Sequence, residues 1–231
     1  MAFLIARYLV GVRGLQSFGL ALQKNWGKDL LLGFMAGFGI WAVKNFAYYQ
    51  SGMFEVSGIA GTSEILNILL LGLLASFFPG AMNDLAVRGY WYRYFSQFRF
   101  FGLFLVFSTG AYALGDAWNE GFSWFNTVFS LLLGFTLAYS VVRTGAIWMS
   151  IGIHTGSNFV YRLMYGLDGR GVLLLENISE GSLYEYLNLL FTAGLFPLVY
   201  LLLKNRKAPV RDLGEERAIK DFKPELKSPG N

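Results

Sequence analysis

No cysteine occurs among the 231 residues, and the only histidine is His154. The first absence excludes thiol proteases, disulfide frameworks and zinc thiolate sites. The second excludes every zinc site built on two imidazoles, HExxH included, so neither a metal nor another cofactor is expected. Charge is scarce too: 15% of the chain, against about 25% in soluble domains. It is also unevenly spread. Of the 34 charged side chains (19 basic, 15 acidic), Met1 to Asp29 holds 5 and Lys204 to Asn231 holds 13, leaving 16 between Leu30 and Leu203. The net charge of +4 comes without the basic–aromatic interleaving of nucleic-acid binders, so lipid phosphates rather than nucleic acid are the expected counterpart.

What fills the chain instead is apolar: 55% of residues are hydrophobic, with 22 Phe, 13 Tyr and 6 Trp. Roughly 20 apolar residues cross a bilayer as a helix, so the middle holds about six spans with short connections. They are placed at Leu30–Val43, Ile65–Ala81, Phe100–Leu114, Phe122–Val142, Ala146–Tyr165 and Tyr184–Leu203. The expected fold is an all-α, polytopic transmembrane helical bundle. Residues 1–29 form an N-terminal cytoplasmic or interfacial segment, 30–203 the membrane domain, and 204–231 a charged, flexible cytoplasmic tail. In the first segment Ile5, Leu9, Val12, Leu15 and Leu22 recur at helical spacing between Arg7 and Arg13, which suits an interfacial helix and not a cleaved signal peptide.

Basic residues gather before the first span (Arg7, Arg13, Lys24, Lys28), after the second (Arg88, Arg93, Arg99), after the fourth (Arg143) and after the sixth (Lys204, Arg206, Lys207). The other connections are acidic, with Glu55, Glu64, Asp116, Glu120, Asp168, Glu176, Glu180 and Glu185. The positive-inside rule then places both termini in the cytoplasm. Gly33, Gly37 and Gly39 in the first span offer a small-residue face for a neighbouring helix.

Polar groups within a membrane helix are functional candidates, because burying them costs free energy unless a partner or a wet cavity receives them. They concentrate in the fifth span, where Ser150, His154, Asn158 and Arg162 recur every four residues along one helix face. An imidazole there, with an amide one turn on, can bind an oxyanion or orient a water; it can equally tie two helices together. In PGAMNDLAVRGYWYR, Asn83 and Asp84 precede Arg88, and Asp84 and Arg88 are spaced for an i, i+4 ion pair. That acid serves either as a salt-bridge partner or, beside a cavity, as a base.

In these segments the chain resembles, over most of its length, the CPBP family of intramembrane proteases, which includes CAAX prenyl proteases and bacteriocin-processing or bacteriocin-immunity proteins. RTGAIWMSIGIHTGSNF (Arg143–Phe159) is similar to the family's third motif, HxxxN, with His154 and Asn158 in both positions. NDLAVRG is similar to its first, EExxxR-Gly: Asn83 and Asp84 stand for the two Glu, and Arg88 and Gly89 match. FSTGA is similar to its second, FxxxH, with Phe107 matched and Ala111 in place of the His. Counted along the helices, Ala111 and His154 fall at comparable depths, roughly 16 and 14 Å. Asp84 falls at the inner end of the second span and reaches them only if that span bends or runs deeper.

The resemblance implies a metal-independent, glutamic-type endopeptidase acting on membrane-associated peptides or proteins, prenylated ones included. In such a family the first-motif Glu and second-motif His activate water, and the third-motif His and Asn stabilise the oxyanion. Here Asp84, His154 and Asn158 are the candidate catalytic residues, with Arg88, Asn83 and Ala111 at supporting positions. With Asn83 and Ala111 unable to accept a proton, water activation falls on Asp84, or on an acid outside the motifs such as Asp116 or Glu120. Loss of a positioned base removes about 10²- to 10⁴-fold in rate, so activity is expected to be weak or altered. The alternative is an inactive family member that binds a peptide, lipid or membrane-protein partner. A Ser-His dyad using Ser63 is disfavoured, since Ser63 lies at the far end of its span from His154. The expected location is a prokaryotic inner membrane.

Overall fold

The computed structural model describes residues 20–206 apart from 21, 24 and 180. The interfacial helix over Ile5, Leu9, Val12 and Leu15, and the tail beyond 206, lie outside the described residues. The elements are α1 (Trp26–Gln50), β1 (Glu55–Ile59), α2 (Thr62–Asp84), a π-helical turn (Leu85–Gly89), α3 (Tyr90–Gln97), α4 (Phe101–Glu120), α5 (Trp124–Thr144), α6 (Trp148–Tyr165), β2 (Leu173–Glu176) and α7 (Ser182–Leu203). Because α2, the π turn and α3 run on without a break, these are six continuous helices, one for each expected span. Local signals set several ends. Ser123 caps α5 by accepting from the Asn126 N–H at 3.0 Å, and Gly145, at φ 74°, stops it in the left-handed conformation that other residues avoid.

Four of the helices, Trp26–Gln50, Thr62–Ser96, Trp124–Thr144 and Ser182–Leu203, are long and apolar enough to cross a membrane. Their polarity is inside out. On α2 the buried positions are Ile68, Gly72, Ser76, Gly80 and Asp84, while Leu70, Leu74, Phe78 and Met82 are exposed. Such a face is stable only against lipid. The polar α6 is enclosed by α1, α2 and α5, and most of its side chains are buried. It therefore tolerates serines, threonines and His154 without meeting lipid.

Glycines let α1 and α6 approach closely. A Cβ on Gly33 or Gly37 would lie 2.2 Å from the Met149 carbonyl oxygen or 2.3 Å from that of Ile153, and one on Gly152 or Gly156 would lie 2.2 Å from that of Leu30 or Phe34. Gly33 and Gly37 thus do the packing expected of them. Gly39 does not, since a Cβ there meets nothing within 4 Å.

One expectation is corrected at α2. Its helix does not end at Ala81 but continues past Asp84, through the π turn, to the end of α3. Arg88, counted above as a cytoplasmic loop charge, is fully buried inside it. Pro79 removes one backbone hydrogen bond just before Asp84, and the π turn follows directly, so irregular backbone brackets the acid on both sides.

The two ends of the bundle differ. At one end β1 pairs with β2 antiparallel, joining the α1–α2 and α6–α7 connections in a small ribbon with a bulge between Val56 and Gly58. The ribbon is the only sheet among the described residues, and nothing in the helical periodicity announced it. At the other end Arg143 donates to the carbonyls of Leu203, Lys204 and Arg206, and Arg206 pairs with buried Asp29 at 2.5 Å. Tyr92 and Phe95 of α3 pack near this end with Val141 and Ile147.

Candidate active site

The every-fourth-residue stripe of α2 faces α6. Gly80 lets the helices close up: a Cβ there would stand 3.1 Å from the Cβ of His154. One turn further along, Asp84 reaches across to α6. Its Oδ1 accepts from Arg88 Nη1 and from Ser150 Oγ, both at 2.5 Å. Its Oδ2 lies 3.0 Å from His154 Nδ1. Asp84, Arg88 and Ser150 have no exposed surface, and His154 is buried.

A carboxylate in an ion pair can only accept hydrogen bonds, so the His154 proton facing it sits on Nδ1. The other ring nitrogen, Nε2, lies 3.2 Å from the hydroxyl of Tyr112 on α4. The guanidinium of Arg88 in turn lies 4.9 Å above the Tyr112 ring. Its Nε and Nη2 have no hydrogen-bond partner among the described residues. The result is a buried chain, Arg88 to Asp84 to His154 to Tyr112, linking α2, α6 and α4. Because the guanidinium already balances the carboxylate, a neutral imidazole leaves the cluster without net charge.

Of the residues singled out in the sequence, Asp84, Arg88 and His154 meet here, and Ser150, on the His154 face, joins them. Others do not. Asn83 points away from the cluster and is exposed. Asn158, one turn beyond His154, is also exposed and has no hydrogen-bond partner among the described residues. Ala111 is half-buried and has no side-chain polar atom to offer the cluster, and Phe107 packs on Trp91 with ring centroids 4.5 Å apart. Asp116, one turn along α4 from Tyr112, accepts from Ser130 on α5 and makes no hydrogen bond to His154 among the described residues. The side chain of Glu120 lies outside the described part of the chain. Ser63 opens α2, 21 residues from Asp84 and so roughly 30 Å along the helix, which rules out a dyad with His154.

Tyr112 is the residue that sequence reading missed. The motif alignment points at position 111, and a helix turns about 100° per residue, so position 112 faces elsewhere. The available signal was the hydroxyl-bearing i, i+4 pair Ser108 and Tyr112 within an apolar run, both of which the fold buries on α4. No carboxylate, imidazole and thiolate set among the described residues could hold a metal ion. Two cavities, of about 360 and 590 Å³, lie beside the β ribbon; neither is lined by Asp84, Arg88 or His154.

Residues 65–160 match the model of a family described as type II CAAX prenyl endopeptidase, Rce1-like. The matched segment starts within α2 and ends within α6, and so contains the whole cluster. No curated protein matches the chain. No solved structure does so either.

Proposed function

We propose, from the membership of the CPBP family that the match over residues 65–160 supports, that this integral membrane protein is a CAAX-type peptidase cutting membrane-associated peptides through His154 and Asp84. The observation that carries the proposal is the 3.0 Å bond between Asp84 Oδ2 and His154 Nδ1, buried within a helix bundle built for lipid. The hydrogen bonding supports a division of labour in which Asp84, with both oxygens engaged, orients the imidazole and does not itself attack water. The basic atom is then Nε2. It takes a proton from water as the water oxygen bonds to the scissile carbonyl carbon, and returns that proton to the amine as the C–N bond breaks. The exposed amide of Asn158, one turn from His154 and without a hydrogen-bond partner among the described residues, is the donor offered to the oxyanion. With Asn83 and Ala111 where acceptors are expected, turnover is slow. A prokaryotic inner membrane and a prenylated substrate remain part of this reading.

A second reading has its own support, since Nε2 is occupied by the Tyr112 hydroxyl and Asp84 is enclosed by donors. On that reading the chain binds a membrane peptide or lipid without cutting it. Cleavage of a pool of prenylated and unprenylated peptides by the protein in lipid nanodiscs separates the two. The peptidase reading expects slow cleavage that His154→Ala abolishes and Asp84→Ala reduces about 10²- to 10⁴-fold. No cleavage by the native chain, with cleavage restored by Asn83→Glu and Ala111→His together, would establish the binding-only reading.

A further inference from the structure

We infer that Tyr112 is a positioning residue for His154: its hydroxyl donates to Nε2 and, opposite Asp84 on Nδ1, fixes both the tautomer and the orientation of the imidazole. The phenol is held in place from several sides. Its ring is buried. It lies under the Arg88 guanidinium at 4.9 Å and beside the His154 ring, with centroids 5.6 Å apart. On its remaining side it leans on α5 at Gly134, where a Cβ would stand 3.1 Å from the Tyr112 Cδ1. A phenol confined in this way keeps its oxygen at one place, 3.2 Å from Nε2.

The direction of the hydrogen bond follows from the other end of the ring. The Asp84 carboxylate accepts from Arg88, Ser150 and His154 and has nothing to donate, so the imidazole proton is on Nδ1. A neutral ring with Nδ1–H presents a lone pair at Nε2, which the phenol O–H meets. Position 111, where the family's pattern has an imidazole, holds only a methyl group. The polar group that α4 delivers to His154 is therefore carried one residue later. For a reaction at Nε2 the phenol must give up that bond to an incoming water or peptide, so it also sets how readily the ring is released.

The inference rests on the peptidase reading only for its effect on turnover. Its test does not, because a single histidine makes the spectrum self-assigning. The full chain, labelled with ¹⁵N-histidine and placed in nanodiscs, gives one pair of ring resonances. The expected native spectrum shows a protonated Nδ1 and an unprotonated, hydrogen-bonded Nε2. In Tyr112→Phe, which keeps the ring packing, the Nε2 resonance moves toward the value of an unbonded pyridine-type nitrogen while Nδ1 stays protonated. Ser108→Ala, one turn away on α4, leaves both resonances in place and controls for general disturbance. A native spectrum with the proton on Nε2, with both nitrogens protonated, or with no change on Tyr112→Phe would overturn the inference. In the cleavage assay Tyr112→Phe changes kcat more than KM. A native chain that cleaves nothing removes the peptidase reading and leaves the resonances to decide the role of Tyr112.

Discussion

Arg88 carries the charge balance of the buried cluster. Its guanidinium has no exposed surface, makes its one ion pair to Asp84, and covers the Tyr112 ring. Removing it strands a carboxylate in the interior, so Arg88→Ala is expected to destabilise by about 3–5 kcal/mol, the range for breaking a buried pair. Removing both partners strands nothing. Asp84→Ala with Arg88→Ala should therefore lose less than the sum of the single losses, and thermal unfolding in detergent micelles reads the difference. Equal additivity would mean that Asp84 is satisfied without Arg88. The i, i+4 spacing made this pair legible in the sequence, and the same spacing placed Ser150 on the His154 face. What spacing along one helix does not carry is which way a second helix is rotated. That is why Tyr112 emerges only from the packing of α4, and why Asn83 and Asn158 sit outside the buried network despite their place in the motifs.

Among the elements, α6 tolerates its polar load because α1 lies almost backbone to backbone against it. The contact is reciprocal: Gly33 and Gly37 meet carbonyls of α6, and Gly152 and Gly156 meet carbonyls of α1. A backbone carbonyl cannot swing aside as a side-chain tip can, so Gly152→Ala should push the helices apart and cost about 1–3 kcal/mol. Gly39→Ala, facing open space, should stay within about 0.5 kcal/mol. Comparable losses for the two would remove the close contact from the explanation. Each of the six described helices could be read from an apolar run, four of them being long and apolar enough to cross a membrane, yet the second was cut short at Ala81. Pro79 and Arg88 look like helix-ending and loop residues to any reading based on local preference. Neighbouring helices override that preference: the proline costs one backbone bond, and the arginine finds its acid one turn back. Asp84 thereby lies inside a continuous helix, level with His154, which removes the depth mismatch of the linear estimate.

For the whole molecule, the alternation of charge along the chain becomes a difference between two ends. Gln23, Thr144 and Arg206 converge at one, where Gln23 Nε2 donates to the Thr144 carbonyl at 3.1 Å and Arg206 to Asp29. Glu55 and Glu176 face one another across the ribbon at the other, and Phe125 and Tyr186 meet at the starts of α5 and α7. An even number of helices among the described residues brings the chain back to the end it started from, and the positive-inside rule applied to the basic excess there predicts that this end faces the cytoplasm. The absence of native cysteine makes the assignment directly measurable, because any introduced thiol is the only one. In sealed cells, Ser57→Cys in the ribbon and Ser123→Cys before α5 should react with an impermeant maleimide. Lys204→Cys, just after α7, should react only once the membrane is opened. Labelling of Lys204→Cys from outside would invert the protein. Since Trp148 begins α6 at the basic end and His154 follows six residues later, roughly 9 Å deeper, it would also put the Asp84–His154 cluster roughly 9 Å in from the external end of α6 instead of the cytoplasmic one.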